Sequence, residues 1–265
     1  MFSVIINHYQ SPEVLKLCLK YLQQNAPQGA EFIVTDSETV EKTELMMRHD
    51  FPEIIFLSAK KNIGFAKSVN KGLAAASGDY FLVINADVII SDTNAVPQML
   101  EFMRTNPDVG MLGPRLLNIN GEHQSSCFRF YSLLTILARR TPFGKTRWGK
   151  KELGRFLLLP PPDPLLCKEG ALNVDWLMGS ALLVRRKAYE QVGGLCEDYF
   201  MYMEDVDWCR SFWKKGYKVV YYPKVFFYHY HFQASKKGNP LVNLFTNKYA
   251  RTHLLSAIKY FKKYG

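Results

Sequence analysis

The N-terminal part of the chain alternates strand-length apolar runs with segments of helical period, and this confines it to an open, largely parallel α/β sheet. Residues 2–6 (Phe-Ser-Val-Ile-Ile) read as a first strand. Ser11 follows as a helix N-cap with Pro12 at the first helical position, and Leu15, Leu19 and Leu22 recur at helical spacing as far as Asn25. Residues 31–35 form a second strand that ends at Asp36. A strand, a helix and a strand of these lengths make a βαβ crossover, whose strands are parallel. A helix over 41–48 and a third strand over 54–57 extend the pattern. Tyr80-Phe81-Leu82-Val83-Ile84-Asn85-Ala86-Asp87-Val88, punctuated by Gly78-Asp79, supplies a fourth strand. In such sheets ligands bind beyond the carboxyl ends of the strands. Asp87 stands there, where a carboxylate suits a divalent metal and the metal in turn a diphosphate; the competing reading is a turn cap. Asp36 stands there too, able to accept from a base N–H or a ribose hydroxyl, or to serve as a simple turn acid.

Asn62-Ile63-Gly64-Phe65 opens a helix through Asn70 with a glycine-bearing loop, a natural anion site. Asn70 lies one turn after Ala66 and can face the cleft. The stretch has neither G-x-G-x-x-G nor the Walker lysine, which excludes a dinucleotide-binding or P-loop reading.

The second half is less regular. A helix over 94–104, a strand over 109–112 and a hairpin tip at Asn118-Ile119-Asn120-Gly121 come first. Residues 129–168 set Arg139, Arg140, Lys145, Arg147, Lys150, Lys151 and Arg155 among aromatics and stop at Pro160-Pro161-Pro162. That suits a mobile basic lid near 139–168, a surface for phosphate head groups, or a solvated loop with some helix. Strand character returns over 174–185, interrupted at Gly179-Ser180 as by a bulge or a close ligand approach. Glu204, Asp205 and Asp207 then crowd three carboxylates into four positions, which raises the pKa of Asp205 and favours a cation or a reaction there. A helix dipole alone would also accommodate them. Residues 217–222 form a strand, and 225–231 an extended segment on which His229 and His231 face opposite ways. The tail combines Leu254, Leu255, Ile258 and Phe261 with five cations as a basic amphipathic helix, for an anionic membrane surface or for the body of the domain.

Composition narrows the partners. The formal net charge of +10 favours anionic ones. Five cysteines without a C-x-x-C pair point to reduced thiols in a cytoplasmic setting and away from zinc. The chain opens directly into a strand, without the pattern of a signal peptide, and no apolar run approaches the roughly 20 residues that span a bilayer. No nucleic-acid-binding motif accompanies the basic charge.

Taken together, these stretches resemble glycosyltransferase family 2, of the GT-A fold, and particularly its bacterial rhamnosyltransferase-like members. The resemblance rests on Ser3-Val4-Ile5-Ile6, Val34-Thr35-Asp36-Ser37, Asn62-Ile63-Gly64-Phe65 through Asn70, Asn85-Ala86-Asp87, Asp175-Trp176 through Gly179-Ser180, and Phe200-Met201-Tyr202-Met203-Glu204-Asp205-Val206-Asp207, in order. It implies a mixed, mainly parallel sheet flanked by helices in one domain over 1–245. The nucleotide-sugar half would span 1–90 and the acceptor half 91–245, with the amphipathic helix at 246–265.

The resemblance also implies roles. Asp36 contacts the nucleobase or ribose, and Asn62, Gly64, Asn70 and Asn85 belong to the sugar-nucleotide site. Asp87 holds Mg²⁺ or Mn²⁺ on the diphosphate, with His229, or else His231, completing the metal site. Asp205 is the catalytic base. Asp175, Trp176, Gly179, Ser180 and Glu204 line the sugar and acceptor pocket. Ser37 replaces the usual Asn, Ala86 the common proline, and Asn85 a first aspartate, which leaves one firm carboxylate and weak metal affinity. The implied reaction is inverting transfer of a hexose, L-rhamnose from dTDP-rhamnose being favoured. The acceptor would be a hydroxyl of a cell-surface polysaccharide or a lipid-diphosphate-linked saccharide, at the inner face of the cytoplasmic membrane. The alternatives are a UDP-hexose or galactofuranose donor on the same fold, or a nucleotidyltransferase. The last would carry a Gly-rich loop where Asn7-His8-Tyr9-Gln10-Ser11 has no glycine.

Overall fold

The computed structural model describes residues 1–158, 170–230 and 247–265. Its centre is a mixed sheet. Strands β1 (Phe2–His8), β2 (Glu31–Ser37), β3 (Ile55–Ala59) and β4 (Tyr80–Asn85) are mutually parallel in the order β3-β2-β1-β4. The intervening helices are α1 (Pro12–Asn25), α2 (Glu41–Asp50) and α3 (Phe65–Ala75). Pro12 starts α1 as expected, and Leu15, Cys18, Leu19 and Leu22 turn one stripe onto the sheet. Ser11 occupies the N-cap position, but its side chain makes no capping bond. Helix α3 lies close against β1 because Gly72 has no side chain: a Cβ there would stand 2.4 Å from Ile5.

Beyond β4 the chain adds β5 (Val88–Ile89), α4 (Ala95–Thr105), β6 (Val109–Leu117), β7 (His123–Gln124) and β8 (Cys127–Phe128). Then follow α5 (Leu133–Arg140), a 3₁₀ turn, α6 (Arg147–Phe156), β9 (Leu172–Asn173), β10 (Trp176–Leu177), β11 (Ala181–Arg185) and α7 (Arg186–Val192). The last elements are α8 (Glu204–Lys214), β12 (Lys218–His229) and α9 (Lys248–Tyr264). Strand β11 runs antiparallel between β4 and β6, β12 is parallel to β6, and β5 closes antiparallel on β12. One sheet face packs on α1, α2 and α4 and the other on α3, α7, α8 and part of α9, giving an α/β/α sandwich.

Several boundaries depart from the sequence reading. The 80–88 run divides into β4 and β5 with Ala86 and Asp87 in the turn between them, so Asp87 is placed by two strands rather than one. The strand expected over 174–185 breaks at Gly179-Ser180 into β10, which pairs with β8, and β11, which enters the main sheet. The segments at 217–222 and 225–231 merge into β12, whose register against β6 shifts between Tyr222 and Phe226, where Pro223 cannot donate to the ladder. The hairpin tip at 118–121 joins β6 to β7. The part of the lid at 139–158 is a helical hairpin: Ser132 caps α5 in a capping box, and Glu152 on α6 binds Ser132, Thr135 and Arg155. The remainder, 159–168, lies outside the described residues. The terminal helix packs on the domain, with Tyr260 fully buried and Lys263 ion-paired to Asp207 at 2.7 Å. Among the described residues no helix is long and apolar enough to cross a membrane.

Candidate active site at the carboxyl edge of the sheet

The carboxyl ends of β1, β2 and β4 carry a cluster of buried polar atoms that make no hydrogen bond within the protein: Asn7 Oδ1, Asp36 Oδ2, Ser37 Oγ, Asn85 Oδ1 and Asp87 Oδ1. Asn7 and Asn85 are register partners between β1 and β4, and His8 pairs with Asp36 between β1 and β2. A buried polar group left unpaired costs about 1–3 kcal/mol, so five at one edge mark a place that a ligand completes.

Asp36 is held in position. The Ser11 amide donates to His8 Nε2 at 3.0 Å, so Nδ1 carries the ring proton and donates to Asp36 Oδ1 at 2.8 Å. One carboxylate oxygen is thereby anchored and Oδ2 left for a ligand. His8 is a site residue the sequence reading passed over. Its signal was available, because equal-length parallel strands put His8 and Asp36 level with each other.

Asp87 faces His229. The β5–β12 pairing sets His229 beside Val88, and the Tyr230 amide donates to the Asp87 carbonyl at 2.9 Å. Asp87 Oδ1 lies 3.4 Å from His229 Nε2. His229 is buried, and its Nδ1 donates to Gln124 Oε1 at 2.8 Å. That bond directs the Nε2 lone pair toward the Asp87 carboxylate, an arrangement a cation between them relieves. His231 lies outside the described residues. Gln124 had no signal in the sequence, since its place depends on β7 folding back on β6. The Asp87 charge, after burial, also pushes up the thiol of Cys18 on α1, so the carboxylate sits over that helix as well.

Asp205 is reached from Asp87 through two hydrogen bonds. The Asn85 amide donates to the Ser180 carbonyl at 3.1 Å, and the Gly179 amide donates to Asp205 Oδ2 at 3.1 Å. The Gly179-Ser180 turn thus ties helix α8, which carries Asp205, to the end of β4, two residues before Asp87. Asp205 Oδ1 also accepts from the Val206 amide at 2.9 Å. Burial pushes the Asp205 carboxyl up to about 6, against the lowering effect of these amides. The expected cause, repulsion from Glu204 and Asp207, is corrected. Asp207 is neutralised by Lys263, and Glu204, buried beside Asp205, has its own pKa raised by burial first and by the Asp205 charge second. Glu204 therefore keeps its proton more readily than an ordinary glutamate.

The segment before α8 is strained. Tyr202 and Met203 both have φ of 70°, the left-handed region that non-glycine residues rarely adopt. Three contacts hold them there. The Phe65 amide donates to the Phe200 carbonyl at 2.9 Å, Ser256 Oγ donates to the Met201 carbonyl at 2.8 Å, and the Tyr202 ring stacks on His253. Gly64, at φ 84°, makes the first possible, because a Cβ there would lie 2.6 Å from the Phe200 oxygen. Asn62 Oδ1 accepts from the Gly64 amide and shapes the same turn. Asn62 and Gly64 thus also fix the 200–203 segment.

Three other expected site residues are engaged within the protein as well. Asn70 is engaged by the 195–197 loop: its Nδ2 donates to Leu195 O and Glu197 Oε1, and its Oδ1 accepts from the Leu195 amide. Asp175 binds Arg129 Nη1 and the Phe130 amide, and Trp176 donates to the Arg129 carbonyl and stacks on Phe128 at 4.3 Å. Both hold the 128–131 segment in place, and Trp176 is almost fully buried. That segment carries Tyr131, whose hydroxyl accepts from Arg139 and whose pKa is raised by burial and, to a lesser degree, by the Asp205 charge. Ser180 is buried, and the Gly179 Cα lies against Asp205 and Phe65.

A family model described as "Glycosyl transferase family 2" matches residues 3–210. The chain belongs to that family. As a family 2 glycosyltransferase it has relatives of several specificities. The N-acetylglucosaminyl-diphospho-decaprenol L-rhamnosyltransferase of Mycobacterium tuberculosis is 29% identical over 236 residues, covering 84% of this chain and 74% of its own. The low-salt glycan biosynthesis hexosyltransferase Agl10 of Haloferax volcanii is 26% identical over 78% of this chain and 60% of its own. Among solved structures, a mannosyltransferase from Pyrobaculum calidifontis in complex with GDP-Man and Mn²⁺ matches 97% of this chain and 64% of that one, with a TM-score of 0.59 at 16% identity. The last likeness is one of fold, and it agrees with the GT-A arrangement of a mainly parallel sheet between helices.

Proposed function

We propose that this family 2 glycosyltransferase moves a hexose from a nucleotide-diphosphate sugar to an acceptor hydroxyl, with inversion, and that the sugar is L-rhamnose carried on dTDP. The observation that carries the reading is the row of unpartnered buried polar atoms at the carboxyl edge, one turn from a carboxylate whose pKa is raised. Asp36 Oδ2 and Asn7 Oδ1 accept from base and ribose groups of the nucleotide. Asp205 takes the proton of the acceptor hydroxyl as its oxygen attacks the anomeric carbon. The raised pKa suits that task, because a base poised nearer neutral pH binds the proton more strongly. The Gly179 and Val206 amides, one on each oxygen, fix the orientation of the Asp205 carboxylate.

A divalent ion fits beside Asp87 and His229. Oδ1 of Asp87 is buried without a protein hydrogen-bond partner, and His229 is oriented from behind by Gln124. Such an ion neutralises charge developing on the departing diphosphate. Among the described residues no third His, Cys, Asp or Glu joins this pair. Asp87 and His229 alone would therefore hold such an ion weakly, with the sugar nucleotide's diphosphate adding to its affinity. The relative solved with Mn²⁺ supports that metal. The mycobacterial relative, similar over most of both chains, supports rhamnose as the sugar and a lipid-diphosphate-linked saccharide as the acceptor.

A thermal-shift and hydrolysis screen over sugar nucleotides with Mn²⁺ tests the donor. Stabilisation and turnover should be greatest with dTDP-rhamnose. Preference for a UDP-hexose would overturn the choice of sugar while leaving transferase chemistry intact.

A further inference from the structure

Helices α5 and α9 lie side by side and leave between them an apolar groove of about 600 Å³, lined by Leu133, Ile136, Leu137, Leu254, Ile258 and Phe261. Large apolar side chains around it face solvent. Leu133 on α5 is 73% exposed, and Leu137 on α5 and Leu254 and Ile258 on α9 are exposed as well. The helix carrying half of this surface is firmly seated. Its other side buries Tyr260 and Ser256, bonds Met201 and pairs Lys263 with Asp207. The exposed stripe is thus an outer face of a docked helix and not an unfinished core.

Charge around the groove has one sign. Helices α5 and α9 contain Arg139, Arg140, Lys248, Arg251, Lys259 and Lys262 besides the inward-paired Lys263, and not one carboxylate. Between 133 and 156 the sole acid is Glu152, and Arg155, Ser132 and Thr135 engage it. We propose that this face docks the protein on an anionic lipid bilayer. Leu133, Leu137, Leu254 and Ile258 enter the interface while the surrounding cations meet the lipid phosphates. Apolar side chains ringed by cations match both parts of such a surface. A second copy of the chain does not, since it would set cations against cations. Nor does the helix span the membrane. The inner side of α9 grips the segment leading to Asp205. On the reading of Asp205 as the base, docking brings a lipid-borne hydroxyl to the acceptor side of the site.

Co-sedimentation of the full chain with vesicles tests the proposal without reference to turnover. Binding is expected to vesicles of phosphatidylglycerol mixed with phosphatidylcholine, to fall as salt rises, and to be much weaker on phosphatidylcholine alone. Leu137→Glu with Leu254→Glu should lower partitioning by about tenfold or more. Arg251→Glu with Lys262→Glu should lower it by about fivefold per residue, leaving circular dichroism unchanged. If the leucine pair fails to fold, the charge-reversed pair decides. Absence of binding to anionic vesicles at low salt, equal binding to neutral ones, or wild-type binding by a folded variant overturns the proposal. So does a sedimentation-equilibrium result showing the face closed in a dimer that the leucine variant dissociates.

Discussion

Replacing Asp205 by Asn separates catalysis from stability in opposite directions. The wild-type carboxyl is held at about 6 against an ordinary 3.8. At about 1.4 kcal/mol per pH unit, the ionised form at pH 8 weighs on the folded state by up to about 3 kcal/mol. The sign follows from the folded pKa lying above the unfolded one. The folded protein holds this proton more tightly, so the group favours folding at low pH and loses that advantage as pH rises from about 4 through about 6. An amide carries no charge to desolvate. It has a single acceptor oxygen, however, and so gives up one of the bonds from the Gly179 and Val206 amides, about 1 kcal/mol. Asp205→Asn should therefore be more stable than the wild type by about 1–2 kcal/mol at pH 8 and lose most of that gain near pH 4. Its transfer rate should fall by about 10²–10⁴, the usual contribution of a general base. Urea unfolding at the two pH values and single-turnover transfer measure both. A variant within tenfold of wild-type rate, or one destabilised at pH 8 more than at pH 4, would refute the reasoning.

The wild-type acid limb follows from the same group: kcat/KM should drop about tenfold per pH unit below about 6, and a profile flat to pH 5 would speak against an Asp205 base. Gln124→Leu should weaken Mn²⁺-dependent binding of the sugar nucleotide by about 10-fold or more, since the outer partner of a liganding histidine sets its orientation; calorimetry with and without Mn²⁺ reads this, and an unchanged affinity would remove Gln124 from the site. Lys263→Met leaves the buried Asp207 carboxylate without its cation and should destabilise the protein by about 2–3 kcal/mol, seen as a lower Tm. Gly64→Ala meets both a positive φ and the Phe200 oxygen, so it should lower Tm by several degrees and reduce transfer, and an unaffected variant would show that the 200–203 segment is not held from that side.

The front of the molecule was legible because its information is local. Strands of matched length joined by amphipathic helices close as parallel crossovers, whereas the sheet order β3-β2-β1-β4 is read only from the structure. The positions of Asp36 and Asp87 at the carboxyl edge came with that topology. The rear was less legible because its elements are short and their partners distant. Strands β7 to β10 have two residues each and exist through pairing, not propensity. Polar residues were assigned by type where contact decided their use. Asn70, Asp175 and Trp176, expected at the site from sequence, also hold loops through contacts that no local pattern shows. His8 and Gln124 look ordinary in sequence, yet they orient Asp36 and His229. The crowding of Glu204, Asp205 and Asp207 was visible, but not the Lys263 that arrives from a helix 56 positions later and neutralises one of them.

Calorimetric titration of dTDP-rhamnose with Mn²⁺ into Asp87→Ala and Asp205→Asn, alongside single-turnover transfer, tests the division of labour most directly. Asp87→Ala should lose metal-dependent binding of the sugar nucleotide, whereas Asp205→Asn should bind it like the wild type and fail to transfer. Loss of binding in Asp205→Asn with binding retained in Asp87→Ala would contradict the assignment of the two carboxylates.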